Sequence, residues 1–123
     1  MKPKLKPIQP TDRRVVNIAK AKFEPFTADG REIPGQSFLQ LDDSQPPGVG
    51  FHIYRMAPGS SSQPHEHTSA EQFLLLEGDL QDNDGYEYKP GDLVYLSRGT
   101  QHFSTTRTGC TMAVFIESWE ENL

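Results

Sequence analysis

Cysteine is nearly absent: Cys110 is the only one in 123 residues. No internal disulfide can form, and zinc sites built from several thiolates are excluded. Long apolar runs are missing as well. Nothing approaches the roughly 18 apolar residues that a membrane-spanning helix needs. Residues 1–10 lack the apolar stretch of a signal peptide and carry Pro3, Pro7 and Pro10 instead. These absences lead to the expectation of a cytoplasmic protein without membrane contact. Internal repeats, low-complexity tracts and convincing amphipathic helices are lacking too.

The chain is long enough for one domain with a real hydrophobic core. Its net charge of −5 is unevenly spread. Residues 1–22 hold Lys2, Lys4, Lys6, Arg13, Arg14, Lys20 and Lys22 against Asp12 alone, so the remainder is strongly acidic. We read 1–22 as a basic arm, partly disordered or packed on a neighbouring subunit, and 23–123 as the folded domain. An acidic body repels phosphate, so no nucleic-acid partner is expected.

Short apolar runs occupy 15–19, 38–41, 51–56, 73–76, 93–96 and 112–116. Each has strand length, and most are rich in aromatic or β-branched residues. Turn signals separate them, among them Ala28-Asp29-Gly30-Arg31, Gln45-Pro46-Pro47-Gly48, Lys89-Pro90-Gly91 and Arg98-Gly99-Thr100. Asp84-Gly85 suits a tight hairpin. Many short strands with few helical signals predict an all-β sandwich or barrel.

Three of the four histidines fall into one pattern with a glutamate: His65, His67, Glu71 and His102. Alternate strand residues share a face, about 6.6 Å apart, so two imidazoles at that spacing can converge on one ion. Glu71 opens the apolar run 73–76, and His102 follows a glycine turn that would bring in another strand. A helix through His67 and Glu71 is disfavoured by Pro58, Gly59, the polar stretch 60–63 and Pro64. Imidazoles plus one carboxylate suit a divalent Fe, Mn, Ni, Co or Zn ion rather than Ca or Mg. On a six-coordinate ion, four protein ligands leave open positions for substrate or O2; on tetrahedral zinc they close the site.

With these residues in place, the sequence resembles the cupin family. The first cupin motif is matched at every fixed position: Gly59, five residues, His65-Glu66-His67, three residues, Glu71, six residues, Gly78. The second runs Gly91, five residues, Ser97-Arg98-Gly99, two residues, His102, three residues, Thr106, with Ser97 in place of the motif's proline and Thr106 in place of its asparagine. The resemblance implies a double-stranded β-helix, a jelly-roll barrel, with one metal ion held by the four residues named. His65 to Gln72, Leu74 to Gly78, Asp82 to Gly85 and Thr108 to Cys110 look, more narrowly, like the group containing acetylacetone-cleaving dioxygenases and the cupin-type domains of certain anti-sigma factors. Those regulators carry a separate helical sigma-binding domain, for which a 22-residue arm is too short.

Phe73 and Leu75 share the face of Glu71 and are expected to line the pocket near the ion. Leu74 and Leu76 face the other way, which suggests cover by a second sheet or by a partner in a homodimer. Along 51–56, either Phe51, Ile53 and Arg55 or His52, Tyr54 and Met56 point inward. Arg55 would bind a carboxylate or enolate; Tyr54 or His52 would donate a hydrogen bond or relay a proton. The plainer readings are a structural His52 and a solvated or ion-paired Arg55. Gln72 should point away from the ion, Tyr95 and Phe115 should be core aromatics, and Cys110 should be structural, within a hairpin turn.

The expected activity is a metal-dependent, dioxygenase-type cleavage of a small diketone, phenol-like or enolisable substrate. Two alternatives use the same residues: a non-catalytic small-molecule binding or sensor module, and a Lewis-acid isomerase or lyase.

Overall fold

The computed structural model describes residues 2–123. It is all-β apart from one 3-10 turn at Pro10–Asp12. The strands are β1 (Glu24–Ala28), β2 (Arg31–Leu39), β3 (Gly50–Met56), β4 (His65–Glu66), β5 (Glu71–Gly78), β6 (Leu80–Asp82), β7 (Glu87–Tyr88), β8 (Leu93–Leu96), β9 (Gln101–His102), β10 (Ser104–Thr105), β11 (Cys110–Ile116) and β12 (Glu121–Asn122). They build a six-stranded sheet, β1-β2-β3-β11-β5-β8, and two three-stranded sheets, β10-β6-β7 and β12-β4-β9, with antiparallel pairing. Among the described residues, no helix is long and apolar enough to cross a membrane.

Four of the six apolar runs fall within strands of the large sheet, and a fifth, 38–41, begins at the end of β2. The exception is 15–19, expected as a strand. Its backbone turns at Asn17, whose side-chain oxygen accepts from Ala19 N (2.9 Å) and whose carbonyl accepts from Lys20 and Ala21 N (3.0 and 2.9 Å). An asparagine that bonds the following backbone offers it a turn in place of a ladder. The arm nonetheless touches this chain's own barrel. Arg14 donates to the Leu41 carbonyl, and Ile18 O accepts from Arg55 Nη2 at 3.2 Å.

β11 lies at the centre of the large sheet, and its register sorts the side chains. Val114 is opposite His52 and Phe73; Met112 is opposite Tyr54 and Leu75. These residues turn inward. Together with Met56, Cys110 and Ile116, and with Leu80 and Tyr88 from the β10-β6-β7 sheet, most of them form one buried cluster, with Tyr54 packed against it. The Phe73 and Tyr88 rings meet edge-on at 5.2 Å, which ties the two sheets together. Leu75 is wholly buried, worth about 1.5–3 kcal/mol in transfer free energy.

The opposite face of the sheet corrects another expectation. Phe51, Phe115, Gln72 and Tyr95 lie in one row across β3, β11, β5 and β8. Tyr95 is 66% exposed and Phe115 39%, so neither is a core aromatic. Both runs are apolar on alternate as well as adjacent positions, and Val94, Val114 and Ile116 take the inward places. Cys110 opens β11 rather than sitting in a turn; it is buried, and burial pushes its thiol up to about 11.

Candidate metal centre

β4 brings the first histidine into position. His65 pairs in register with His102 of β9 on one side and with Asn122 of β12 on the other. His67 lies just past β4 and is clamped to the preceding turn of the second motif: its N donates to Thr100 O (2.9 Å) and its O accepts from Gly99 N (2.8 Å). Thr100 N in turn bonds Ser97 O at 3.1 Å, and Gly99 has a φ of 91°, a conformation glycine adopts freely. Glu71 arrives from β5 of the large sheet.

The three imidazoles converge. His67 Nε2 lies 3.2 Å from His65 Nε2 and 2.9 Å from His102 Nε2. All three rings are buried, and one nitrogen from each falls within 4.8 Å of the others. Glu71 Oε1 is 3.4 Å from His67 Nε2. Two ligands at right angles on one ion, each about 2.1 Å away, are separated by about 3.0 Å. The shortest spacings here match such an edge.

The far side of the rings decides which nitrogen faces inward. His65 Nδ1 donates to the Gln63 carbonyl at 2.6 Å, and His102 Nδ1 donates to Asp82 Oδ1 at 3.0 Å. A carbonyl and a carboxylate can only accept, so in the neutral imidazoles both Nε2 atoms carry lone pairs toward the cluster. Three buried nitrogens, at most one of them sharing a proton, suit a cation, and fixed outer hydrogen bonds are what metal-ligating imidazoles need. The donor set therefore fits a divalent transition ion.

Electrostatics agree. Burial, with His65 and His102 beside it, pushes His67 down to about 4, so it is neutral near pH 7. Burial pushes Glu71 up to about 8, with nearby Glu120 and Asp82 adding to the rise and His102 opposing it. Burial works against the charge on both members of the Asp82–His102 pair. For Asp82, the hydrogen bonds from His102, Ser104 and Tyr88 together outweigh it and hold the carboxyl below its ordinary value; for His102, the hydrogen bond to Asp82 and the charges of Asp82, Glu71 and Glu120 together hold the imidazole above its own.

A cavity of about 250 Å³ opens beside the cluster. His65, Glu71 and His102 border it, and Met112, Val114 and Ile116 form apolar wall. Of the two possible faces of β3, the one with His52, Tyr54 and Met56 points in. Tyr54 Oη is buried without any hydrogen-bond partner. His52 Nδ1 donates to Gly50 O at 3.1 Å, and burial lowers its pKa. Arg55 is not brought to the cavity. It lies on the outer face, bonded to Thr111 Oγ1 at 3.3 Å and stacked 3.9 Å from the Phe23 ring centre. Phe73 and Leu75 share the inward direction of Glu71 but sit in the core, outside the cavity lining.

The ChrR Cupin-like domain matches residues 11–120 of the sequence. The chain belongs to this cupin family. Similar solved structures include the polyketide cyclase RemF from Streptomyces resistomycificus (21% identity, TM-score 0.71, 90% of this chain and 85% of that one). An acetylacetone dioxygenase from Acinetobacter johnsonii follows at 17% identity and TM-score 0.64, over 93% of this chain and 78% of the other. The Rhodobacter sphaeroides complex of SigE with the anti-sigma ChrR gives 15% identity and TM-score 0.61, over 80% of this cupin and 49% of that chain. At these identities the likeness shows the jelly-roll fold. No curated protein matches the sequence.

The cupin motifs' two departures are absorbed locally. Thr106 Oγ1 accepts from Gly109 N (3.0 Å) and donates to Asp79 Oδ1 (3.1 Å), so it holds the turn before β11. Ser97 starts the glycine turn already described. Two carboxylates at the cupin site carry no ligand signal in the sequence. Asp82 falls in the segment Asp82 to Gly85, which enters the resemblance without a site role, and Glu120 falls in the unpatterned stretch 117–120. Glu120 Oε2 is 3.3 Å from His65 Nε2.

Proposed function

We propose that this cupin is a metal-dependent dioxygenase acting on a small enolisable molecule, a diketone or a phenol-like compound. His65, His67, Glu71 and His102 would hold one divalent Fe, Mn, Ni, Co or Zn ion. The observation that carries the proposal is the convergence of three buried imidazole nitrogens at the edge of a largely apolar cavity that also holds the unpartnered Tyr54 hydroxyl.

An ion bound there supplies Lewis acidity and, if redox-active, a centre for reaction with O2. The chain's own residues account for the remaining features. Tyr54 Oη donates a hydrogen bond to a substrate oxygen, which gives a buried hydroxyl its missing partner. His52, neutral and anchored through Nδ1, keeps its Nε2 available to take the proton of an enolisable substrate. Met112, Val114 and Ile116 exclude water from the reacting groups.

The test is oxygen consumption by Fe(II)-loaded protein with a panel of β-diketones and catechols, with product analysis. Neither O2 uptake nor substrate change across the panel rejects the activity. Turnover that persists without O2 points to Lewis-acid isomerase or lyase chemistry instead. We also propose a homodimer, joined through the exposed row of Phe51, Phe115 and Tyr95.

A further inference from the structure

We infer that Glu120 is a second carboxylate ligand of the metal centre, placed there by residues 117–123, and that it yields its position to an anionic substrate. The inference rests on the metal reading of His65, His67, Glu71 and His102.

Glu120 Oε2 approaches His65 Nε2 at 3.3 Å, while Glu71 Oε1 approaches His67 Nε2 at 3.4 Å. The two carboxylates thus address different histidines of one cluster, at nearly equal distance. Among the described residues, that contact is the only polar one made by the Glu120 carboxylate. Glu120 also borders the cavity. Its position is built by the chain around it. β12 pairs with β4 at Glu66 and His65, the strand that carries the first ligand. Thr68 Oγ1 donates to Trp119 O, and Ser69 Oγ accepts from Glu117 N and Ser118 N at 3.2 Å each. The Trp119 ring passes so near Gly48 that a Cβ there would lie 3.0 Å from it. Residues 117–123 are therefore seated against the site on both flanks.

Charge argues for exchange. Three neutral imidazoles and one carboxylate leave a divalent ion with a net positive charge, which attracts an enolate. A second carboxylate cancels that charge and fills a coordination position. An enolate then enters most readily by replacing one carboxylate. Glu120 is the one to leave: its side chain is 31% exposed against 15% for Glu71, and it lies outside the large sheet.

Cobalt(II) is the probe, because its visible absorption reports coordination and its affinity can be measured by chelator competition. Wild type, Glu120→Gln, Glu120→Asp, Glu71→Gln and the exposed control Glu121→Gln are compared. Glu120→Gln is expected to weaken Co(II) binding by about tenfold, change the visible spectrum and strengthen 2,4-pentanedione binding to the Co(II) protein. Glu121→Gln should change none of these. A merely structural role for Glu120 would weaken both metal and diketone, and that result overturns the inference. So does a Glu120→Gln protein with wild-type Co(II) affinity and spectrum, which leaves the His65, His67, Glu71 and His102 reading standing. Wild type that takes up no Co(II) removes that reading and this inference together. If Glu120→Gln fails to fold, Glu120→Asp serves in its place: the same opposed shifts support the inference, and wild-type values for metal and diketone overturn it.

Discussion

Asp82 holds His102 from behind: its Oδ1 accepts the Nδ1 proton at 3.0 Å while the Nε2 turns toward the other two histidines. The same carboxylate accepts from the hydroxyls of Ser104 and Tyr88. A residue with no direct contact to an ion thus decides which nitrogen His102 presents.

Asp82→Ala removes the partner of three buried donors. Each unsatisfied group costs about 1–3 kcal/mol, partly relieved by entering water. Denaturant unfolding should show a loss of about 2–4 kcal/mol. Metal affinity should fall about 10–100-fold, the usual effect of removing an outer hydrogen bond to a ligand. Undiminished affinity in a folded variant rules out the orienting role.

Metal uptake should release a proton. Burial raises Glu71 from 4.5 to about 8 in the metal-free protein, so at pH 7 the carboxyl is mostly protonated and must ionise to bind. His67, pushed down to about 4, has no proton to give near neutrality, whereas His102, held above its ordinary value by Asp82, adds to the release. Affinity should therefore rise with pH and level off above about 8. Calorimetry in buffers of different ionisation enthalpy reads the proton count, which should drop in Glu71→Gln. The raised pKa also has a stability consequence. The Glu71 contribution is fully present below 4.5 and lost as pH rises through about 8, so the metal-free protein weakens across that window.

Tyr54→Phe should separate stability from function. The hydroxyl is buried and unpartnered, so its removal should stabilise the metal-free protein by about 1 kcal/mol. The same change should weaken substrate binding or turnover about tenfold, the loss of one hydrogen bond. Full activity on the best substrate of the panel would falsify the donor role.

Gly78→Ala should unfold the sheet locally. A Cβ at Gly78 would lie 2.0 Å from the Gly109 carbonyl oxygen and 2.7 Å from the Cys110 Cα, and its φ of 88° disfavours a side chain. Both obstacles are backbone, so β5 and β11 must part. A loss of about 3 kcal/mol or more is expected in chemical unfolding. A wild-type midpoint would show that the close approach does not exist in solution.

Phe115→Glu should turn the proposed homodimer into a monomer without disturbing the core, because Phe115 points out of the sheet. Sedimentation velocity reads this directly. Wild type that stays monomeric at all concentrations ends the dimer proposal.

The strands that pattern could reveal were those with several consecutive apolar residues: β3, β5, β8 and β11, with the end of β2. The two-residue strands β4, β7, β9, β10 and β12 carry too few side chains for a period to emerge. β1 hid for another reason. It contains Pro25 and a bulge, which an edge strand tolerates because its outer groups need no ladder partner. Which face of β3 turned inward was undecidable in sequence, since both faces hold aromatic and polar residues. Pairing with β11 decided it, placing Tyr54 inside and Arg55 outside.

The sequence alone determined the all-β class, the cupin resemblance and the quartet His65, His67, Glu71 and His102, because strand period and motif spacing are local properties written in consecutive residues. The tertiary structure alone decided what stands around that quartet. Asp82 reaches His102 across the chain from β6, and Glu120 reaches His65 from beside β12. Neither carboxylate has a spacing that marks it. Their roles come from strands that are distant in sequence and meet only when the sheets close, and that closure follows burial of the whole core rather than any one motif.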